Sequence, residues 1–147
     1  MTVEELAAQL STDLEQVVGL LRSLIQPSAL SMTAAATLSS LERTGPSRLT
    51  VLAAREGVTQ PAMTQLISRL EDDGLVRRDA DPADGRVVQV RITDEGRATL
   101  ARRRAGRAAK LAVILTQLSP EHQAALATAV PALDALAAAR RDEPVLA

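Results

Sequence analysis

An arginine occupies the tip of a predicted turn in the segment DPADGRVVQVRIT, residues 81–93. Proline and glycine favour the turn, and the alternation of apolar and polar residues after it predicts a strand buried on one face. The apolar positions of that strand are Val88, Val90 and Ile92. A guanidinium held on such a β-ribbon can enter a narrow minor groove of DNA, and Asp84 can hold the Arg86 side chain in place. The alternative is a surface ion pair between Asp84 and Arg86, worth at most about 1 kcal/mol.

A short helix before this turn is predicted to carry a second set of polar side chains. Thr59 is a favourable N-cap, Pro61 suits the first turn, and Gly74 ends the helix. At 100° per residue, one side is apolar and predicted to be buried, with Met63, Leu66, Ile67 and Leu70. The residues on the outward face or beside it are Gln60, Pro61, Thr64, Gln65, Ser68 and Arg69. Such side chains can read base edges in a major groove, whereas the alternative is a merely solvated helix face.

Other arginines are weaker candidates for contacts with phosphate. Arg77 and Arg78 are neighbours on a predicted strand, so their side chains point to opposite faces. Only one of them can face DNA together with the turn, and we predict that it is Arg77. Arg48, close to the predicted turn TGPS, is a further candidate. The three arginines at 102–104 span about 200° of a predicted helix, so they cannot all face one partner. A solvated face is the preferred interpretation of that run.

Several residue types are missing from the sequence, and their absence excludes whole classes of site. There is no cysteine and only one histidine, which excludes disulfides, Cys-ligated zinc and Cys/His metal clusters. No nucleophile, base and orienting group occur at an interpretable spacing, and no glycine-rich phosphate loop is present. We therefore predict no enzymatic activity, no metal and no cofactor. No apolar stretch approaches the roughly 18 residues of a membrane span, so we expect no membrane segment and a cytoplasmic location.

The net charge of −1 hides an uneven distribution of charges along the chain. Residues 1–42 contain five acidic residues and one arginine, whereas residues 77–107 contain nine arginines and five acidic residues. Electrostatic attraction to nucleic acid is a local property, so this asymmetry outweighs the near-neutral total.

The elements that must position these residues are mostly helices with readable start and stop signals. The run TVEE at residues 2–5 is a capping box, and Pro27 is predicted to end the helix that it opens. Ser31 is predicted to cap a second helix that ends at Thr44-Gly45-Pro46, and Thr50 a short third helix, Val51 to Arg55, closed by Gly57. Leu75 is predicted to start the first strand. Thr93 and the pair Ser119-Pro120 begin two later helices, the last of which contains Pro131.

The first and last helices carry apolar stripes that suit packing against another helix, including one from a second subunit. We predict an interface between two copies of the chain, formed by Leu6, Leu10, Leu14, Val17, Leu115, Leu118, Leu126 and Leu133. The chain is accordingly divided into an N-terminal dimerisation helix at 1–30, a DNA-binding domain at 31–100 and C-terminal dimerisation helices at 101–147. No Phe, Tyr or Trp is available, so the interior must be built from aliphatic side chains.

The segment LTVLAAREGVTQPAMTQLISRLEDDGLVRRDADPADGRVVQVRITDEGRATL, residues 49–100, resembles the MarR (multiple-antibiotic-resistance regulator) family. Its most specific parts are LISRLEDDGLVRR, the Asp84-Gly85-Arg86 turn and the exit ITDEG. The resemblance implies a mainly α fold with a small β-wing, that is, a winged helix-turn-helix flanked by dimerisation helices. The remaining residues match only in the order and length of their helices. The redox-sensing branch of that family uses a cysteine in the first helix. This chain has no cysteine, so membership of that branch is excluded.

The resemblance also implies a function. The chain is expected to be a homodimeric transcriptional regulator, more specifically a repressor, that reads a pseudo-palindromic site on double-stranded DNA. Release by a small apolar or aromatic-acid ligand is a further implication, with a pocket expected near Met32, Leu38 and the start of the fifth helix. The alternative function is a winged-helix protein-interaction module without DNA-binding activity.

Overall fold

The computed structural model describes residues 1–25 and 30–142, and for residues 140–142 it describes the backbone alone. Within these ranges the chain forms six helices and a two-stranded antiparallel sheet. The elements in chain order are α1 (Val3–Ser23), α2 (Met32–Thr44), α3 (Leu49–Glu56), α4 (Gln60–Asp72), β1 (Val76–Ala80), β2 (Val88–Ile92), α5 (Asp94–Leu115) and α6 (Pro120–Asp142). The predicted fold class, mainly α with a small β-wing, is confirmed.

Most of the predicted helix starts are confirmed by hydrogen bonds at the caps. The Thr2 hydroxyl accepts from the backbone N–H of Glu5, and the Glu5 carboxylate accepts from the N–H of Thr2, which completes the capping box. The hydroxyls of Ser31, Thr59 and Thr93 each accept a backbone N–H from the third residue of the following helix. Each bond satisfies one of the N–H groups that the first turn leaves unpaired.

The predicted start of α3 is wrong, and the first strand starts one residue later than predicted. Helix α3 begins at Leu49 with Arg48 as the N-cap residue, and no side chain caps it. Thr50 therefore lies inside the helix. Leu49 packs against the core, so burial of an apolar side chain outweighs the local advantage of a hydroxyl cap. Leu75, predicted to start β1, is buried directly before it.

A single core of aliphatic side chains lies between α2, α3, α4, the sheet and the start of α5. On α4 the predicted apolar side is buried at Met63, Ile67 and Leu70, and half-buried at Leu66. On β2, Val90 and Ile92 are buried as predicted, but the prediction for Val88 is wrong, because this residue is 47% exposed. Val88 lies next to the turn, where the ribbon extends beyond the helices that cover its other end.

The start of α5 is held tightly against the end of α4. The Thr93 hydroxyl donates to the Gly74 carbonyl at 2.6 Å, and the Thr93 N–H donates to the Leu75 carbonyl at 3.0 Å. A Cβ at Gly96 would clash with that same Leu75 carbonyl and would lie 2.8 Å from the Ile92 side chain. The close approach therefore depends on a glycine at position 96.

The terminal helices lie outside this core. Helix α1 has no buried residue, and its predicted end signal, Pro27, lies outside the described residues. Helix α6 contains Pro131, as predicted, and continues to Asp142. The apolar side chains of both helices remain largely exposed in the single chain.

Candidate nucleic-acid interface

Helices α3 and α4 are joined by a tight turn and form the predicted helix-turn-helix. Gly57 ends α3 in the left-handed region with φ 65°, and Thr59 caps α4 immediately afterwards. The polar side chains predicted to face a groove are exposed at Gln60, Pro61, Thr64, Gln65 and Arg69. The Thr64 hydroxyl donates to the Gln60 carbonyl at 2.9 Å, within the helix. The Gln65 amide has no hydrogen-bond partner among residues 1–25 and 30–142, and a glutamine amide can bond a base edge through both of its ends.

Ser68 differs from its neighbours on α4. It is half-buried, and its hydroxyl accepts a hydrogen bond at 3.0 Å from Nη2 of Arg78 on β1. A residue predicted to face the groove is therefore also in contact with the wing.

Strands β1 and β2 pair antiparallel and form the wing. The register runs from Val76 opposite Ile92 to Ala80 opposite Val88. The turn between them is organised by two aspartates. Asp81 Oδ1 accepts from the Ala83 N–H at 2.8 Å, and Asp84 Oδ1 accepts from the Arg86 N–H at 3.1 Å. An aspartate oxygen that accepts a backbone N–H two residues later is typical of a tight turn.

Arg86 is presented to solvent at the tip of this wing. Its side chain is 94% exposed, and its Nε lies 3.4 Å from Asp84 Oδ1. The predicted pairing with Asp84 is therefore present, and it engages only one side of the guanidinium. An ion pair that is so exposed contributes little to stability. Because the contact uses Nε, the two terminal nitrogens of the guanidinium can bind an anion.

The two arginines of β1 have different surroundings. Arg77 is largely exposed and shares the Asp79 carboxylate with Arg91, at 3.0 and 3.2 Å. Arg78 faces the opposite side of the sheet and bonds to Glu71 at the end of α4. The predicted alternation of the two side chains is thus present in the structure. The specific partner of Arg78 was missed, although Glu71 stands only seven positions earlier.

Two ties between the wing and the helices were also missed from the sequence. Ser47 forms an isolated antiparallel bridge with Val90, with N···O distances of 3.0 and 2.8 Å in the two directions. Arg48, predicted to contact phosphate, lies 3.8 Å from Asp81 at the start of the wing turn. Its side chain is more than half exposed, so the guanidinium is also accessible from outside.

The arginine run at 102–104 on α5 divides among different partners, which agrees with its predicted angular spread. Arg102 pairs with Glu95 at 2.8 Å, and Arg104 pairs with Glu42 on α2 at 2.8 Å. The hydrogen bond and the positive charge of Arg102 lower the pKa of Glu95 below its ordinary value. Arg104 also donates to Ser39 at 3.0 Å. Arg104 therefore joins α5 to α2, whereas the Arg102 pair lies within α5.

Arg103 does not fit the prediction of a solvated face. It is half-buried, and its Nη1 has no hydrogen-bond partner in the part of the chain that the structure describes. Burial lowers the pKa of the Arg103 guanidinium, and the nearby charge of Arg107 lowers it further. An arginine with a buried, unpaired nitrogen is costly unless an anion or acceptor completes it.

Arg103 and Arg107 line two adjoining cavities. The larger, about 540 Å³, lies between the end of α1 and the first half of α5 and also includes Lys110. The smaller, about 240 Å³, lies between α2 and α5 and includes Met32. The expected position of a pocket near Met32 and α5 agrees with the smaller cavity. The inclusion of Leu38 is wrong, because that side chain is fully buried in the core and lines neither cavity.

The predicted dimer-interface residues lie on α1 and α6, except Leu115 at the end of α5 and Leu118 in the turn that follows it. In the single chain they are exposed or half-buried: Leu6, Leu14, Val17, Leu126 and Leu133 are exposed, and Leu10, Leu115 and Leu118 are half-buried. Among residues 1–25 and 30–142 there is no cluster of three or more potential metal ligands. None of the described helices combines the length and apolarity needed to cross a membrane.

Comparison with known proteins agrees with this architecture. The sequence model of the MarR family matches residues 30–88, which contain the helix-turn-helix and most of the wing. The chain is 34% identical over 133 residues to the HTH-type transcriptional repressor MdtR of Bacillus subtilis, with 84% of this chain and 86% of MdtR covered.

Solved structures share the fold over nearly the whole chain. The crystal structure of RV1404 from Mycobacterium tuberculosis aligns with a TM-score of 0.76 and 25% identity, covering 98% of this chain and 97% of that protein. The PcaV transcriptional regulator from Streptomyces coelicolor, solved in complex with its natural ligand, aligns with a TM-score of 0.58 and 24% identity, covering 93% and 97%.

Proposed function

The chain belongs to the MarR family of DNA-binding transcriptional regulators, and we propose that it acts as a homodimeric repressor on a pseudo-palindromic operator. The observation that carries this proposal is the placement of two DNA-reading features on one core. The polar face of α4 is exposed, and Arg86 projects from the wing that follows it. In each subunit α4 would enter a major groove while Arg86 enters the adjacent minor groove.

The residues proposed to contact DNA are those chosen from the sequence. They are Gln60, Pro61, Thr64, Gln65, Ser68 and Arg69 on α4, Arg77, Asp84 and Arg86 on the wing, and Arg48 at the start of α3. Within this set Gln65 and Thr64 would read base edges, whereas Arg48, Arg69 and Arg77 would contact phosphate. Asp84 would act on DNA only through Arg86, by holding its guanidinium.

The proposal of a homodimer is supported by the unpartnered apolar stripes of the terminal helices. Leu6, Leu14 and Val17 expose a large part of their side chains along one side of α1. Exposed apolar side chains at helical spacing are typical of an interface, and two copies of the stripe would bury each other. The proposal of repression is supported by similarity to MdtR, which is named a repressor. A transcriptional repressor that binds DNA would act in the cytoplasm, as expected from the sequence.

Release by a small ligand is supported by the cavities along α5. The two half-buried arginines that line both cavities have no carboxylate within ion-pair distance among the described residues. An aromatic acid would supply a carboxylate to Arg103 and place its apolar part among aliphatic side chains such as Leu24 and Leu100. Benzoate should therefore weaken DNA binding, whereas benzamide, its neutral analogue, should not. Equal effects of the two compounds would contradict the ligand proposal.

Selection of genomic fragments by the purified protein, followed by binding isotherms from 50 to 200 mM salt, tests the DNA-binding proposal. Contacts with phosphate release counterions, so affinity for the selected site should fall steeply with salt. The selected site should also bind more tightly than random DNA at every salt concentration. Failure to enrich any sequence, with no salt dependence, would favour the alternative of a protein-interaction module.

A further inference from the structure

Arg78 joins the wing to helix α4 through a set of hydrogen bonds that involves both its backbone and its side chain. Its backbone N–H donates to Glu71 Oε2 at 2.9 Å, and its Nη1 donates to Glu71 Oε1 at 2.6 Å. Its Nη2 donates to the Ser68 hydroxyl at 3.0 Å. Both oxygens of one carboxylate are used, so the strand and its side chain are fixed in position and in orientation together.

Because of where these bonds lie, they can fix the direction in which the wing tip points. Arg78 is the central residue of β1 and pairs with Val90 on β2. A two-stranded ribbon is not rigid on its own, so its direction depends on what holds its base and middle. Two other ties hold the wing. One is the backbone bridge between Ser47 and Val90, at 3.0 and 2.8 Å, and the other is the side-chain pair of Arg48 and Asp81, which is longer at 3.8 Å. Of the two side-chain ties, the Arg78 bonds are shorter and use both carboxylate oxygens of Glu71, and they are therefore the stronger restraint. The Ser47–Val90 bridge binds β2, whereas the Arg78 bonds join β1 directly to α4, the helix that carries Gln65.

We infer that Arg78 is a positioning residue for DNA recognition, which sets the angle of the wing against α4 so that Arg86 and Gln65 meet DNA in the same complex. This inference rests on the proposed function, since it requires Arg86 to contact DNA. Ser68 then has a second role, because it anchors the wing in addition to lying on the helix that reads the groove. Arg78 itself need not touch DNA.

A double-mutant cycle between positions 78 and 86 tests the inference on the full-length protein. Binding to the selected DNA fragment is measured at one salt concentration for the wild type, Arg78→Met, Arg86→Ala and the double variant. In the wild type, Arg86→Ala should weaken binding by about 5-fold to 150-fold. In the Arg78→Met background the same change should weaken binding less than about 2-fold, because the tip is no longer held at the groove.

Two further measurements separate positioning from loss of structure. Gln65→Ala should keep its full effect on binding in the Arg78→Met background, because α4 is still docked on the core. Arg91→Met is the matched control, since it removes an arginine from the neighbouring strand, and Arg86→Ala should retain its full effect beside it. Should Arg78→Met fail to fold in a thermal melt, Glu71→Gln removes the charge that holds Arg78 while keeping the side-chain volume, and the cycle is repeated with it.

The possible outcomes are distinguishable. An Arg86→Ala effect of the same size in both backgrounds would overturn the inference and leave the proposed function intact. An Arg86→Ala variant that binds like the wild type would instead overturn the wing contact of the proposed function, and the inference with it.

Discussion

Arg78 and Arg86 lie on the same ribbon and differ in what surrounds their guanidinium groups. Arg78 has two neutralising or polar partners on α4, whereas Arg86 has one carboxylate contact and is otherwise in solvent. The sequence predicted the exposed arginine, because the turn residues around it define its place in a hairpin. It did not predict the partners of Arg78, because the bonds to Glu71 and Ser68 depend on how α4 and β1 pack.

We expect Arg86→Ala to weaken DNA binding by about 1 to 3 kcal/mol while leaving the fold intact. The side chain is almost entirely exposed, so its removal creates no cavity. Binding isotherms on the selected site and on random DNA measure the effect, with Arg91→Ala as a control of equal charge change. An unchanged affinity on both DNAs would reduce the turn to a structural hairpin.

We expect Gln65→Ala to alter sequence preference more than overall affinity. A contact with a base edge distinguishes among sequences, whereas a contact with phosphate does not. Isotherms on a panel of sites with single base-pair changes would reveal a position at which the variant no longer discriminates. Arg69→Ala provides the comparison, because loss of a phosphate contact should weaken binding to all sites by a similar factor.

The elements of the molecule were predictable where a local signal and the tertiary structure agree. Ser31, Thr59 and Thr93 are predictable as caps from the sequence, since each hydroxyl accepts an N–H of the first turn and the packing of the helix does not move its start. Thr50 and Val88 were not predictable in the same way. At Thr50, the packing of Leu49 against the core places the start of α3 one residue before the hydroxyl. At Val88, the strand extends past the core that would have covered the side chain.

We expect Gly96→Ala to destabilise the fold by about 1 to 3 kcal/mol, because the added methyl group has no space between Leu75 and Ile92. The matched control is Gly106→Ala in the same helix. Beyond its own helix backbone and chain neighbours, no atom of the described residues lies within 4 Å of a Cβ at position 106. This change should therefore be neutral or stabilise the protein by up to about 1 kcal/mol. Chemical denaturation of both variants measures the difference. Equal stability of the two would show that the start of α5 is not closely packed.

We expect the double change Leu14→Lys and Val17→Lys to separate the proposed dimer. Both side chains are partly exposed on the same side of α1, and a buried pair of lysines would be strongly unfavourable at an interface. Light scattering of wild type and variant measures the mass in solution. Gln16→Lys, on another side of the helix, should leave the dimer unchanged. A monomeric wild type would contradict the proposed interface.

The whole molecule combines a compact core with terminal helices that leave apolar surface exposed. The core holds the helix-turn-helix and the wing. The Arg104–Glu42 pair ties α5 to α2, and a cavity lined by Arg103 lies between α5 and the end of α1. The net charge of −1 gave no indication of DNA binding, whereas the local distribution of arginine did. The positions of the charged residues therefore indicate DNA binding better than the net charge does. The division into segments 1–30, 31–100 and 101–147 stays a prediction.

Footprinting of the selected DNA fragment at single-nucleotide resolution shows whether a dimer binds two related half-sites. Two α4 helices related by a two-fold axis should protect two half-sites whose centres are about 10 base pairs apart, with one dimer bound per duplex. Scrambling one half-site should abolish protection of both at the same protein concentration. Protection of a single, unpaired half-site, unaffected by changes to the flanking sequence, would contradict the account.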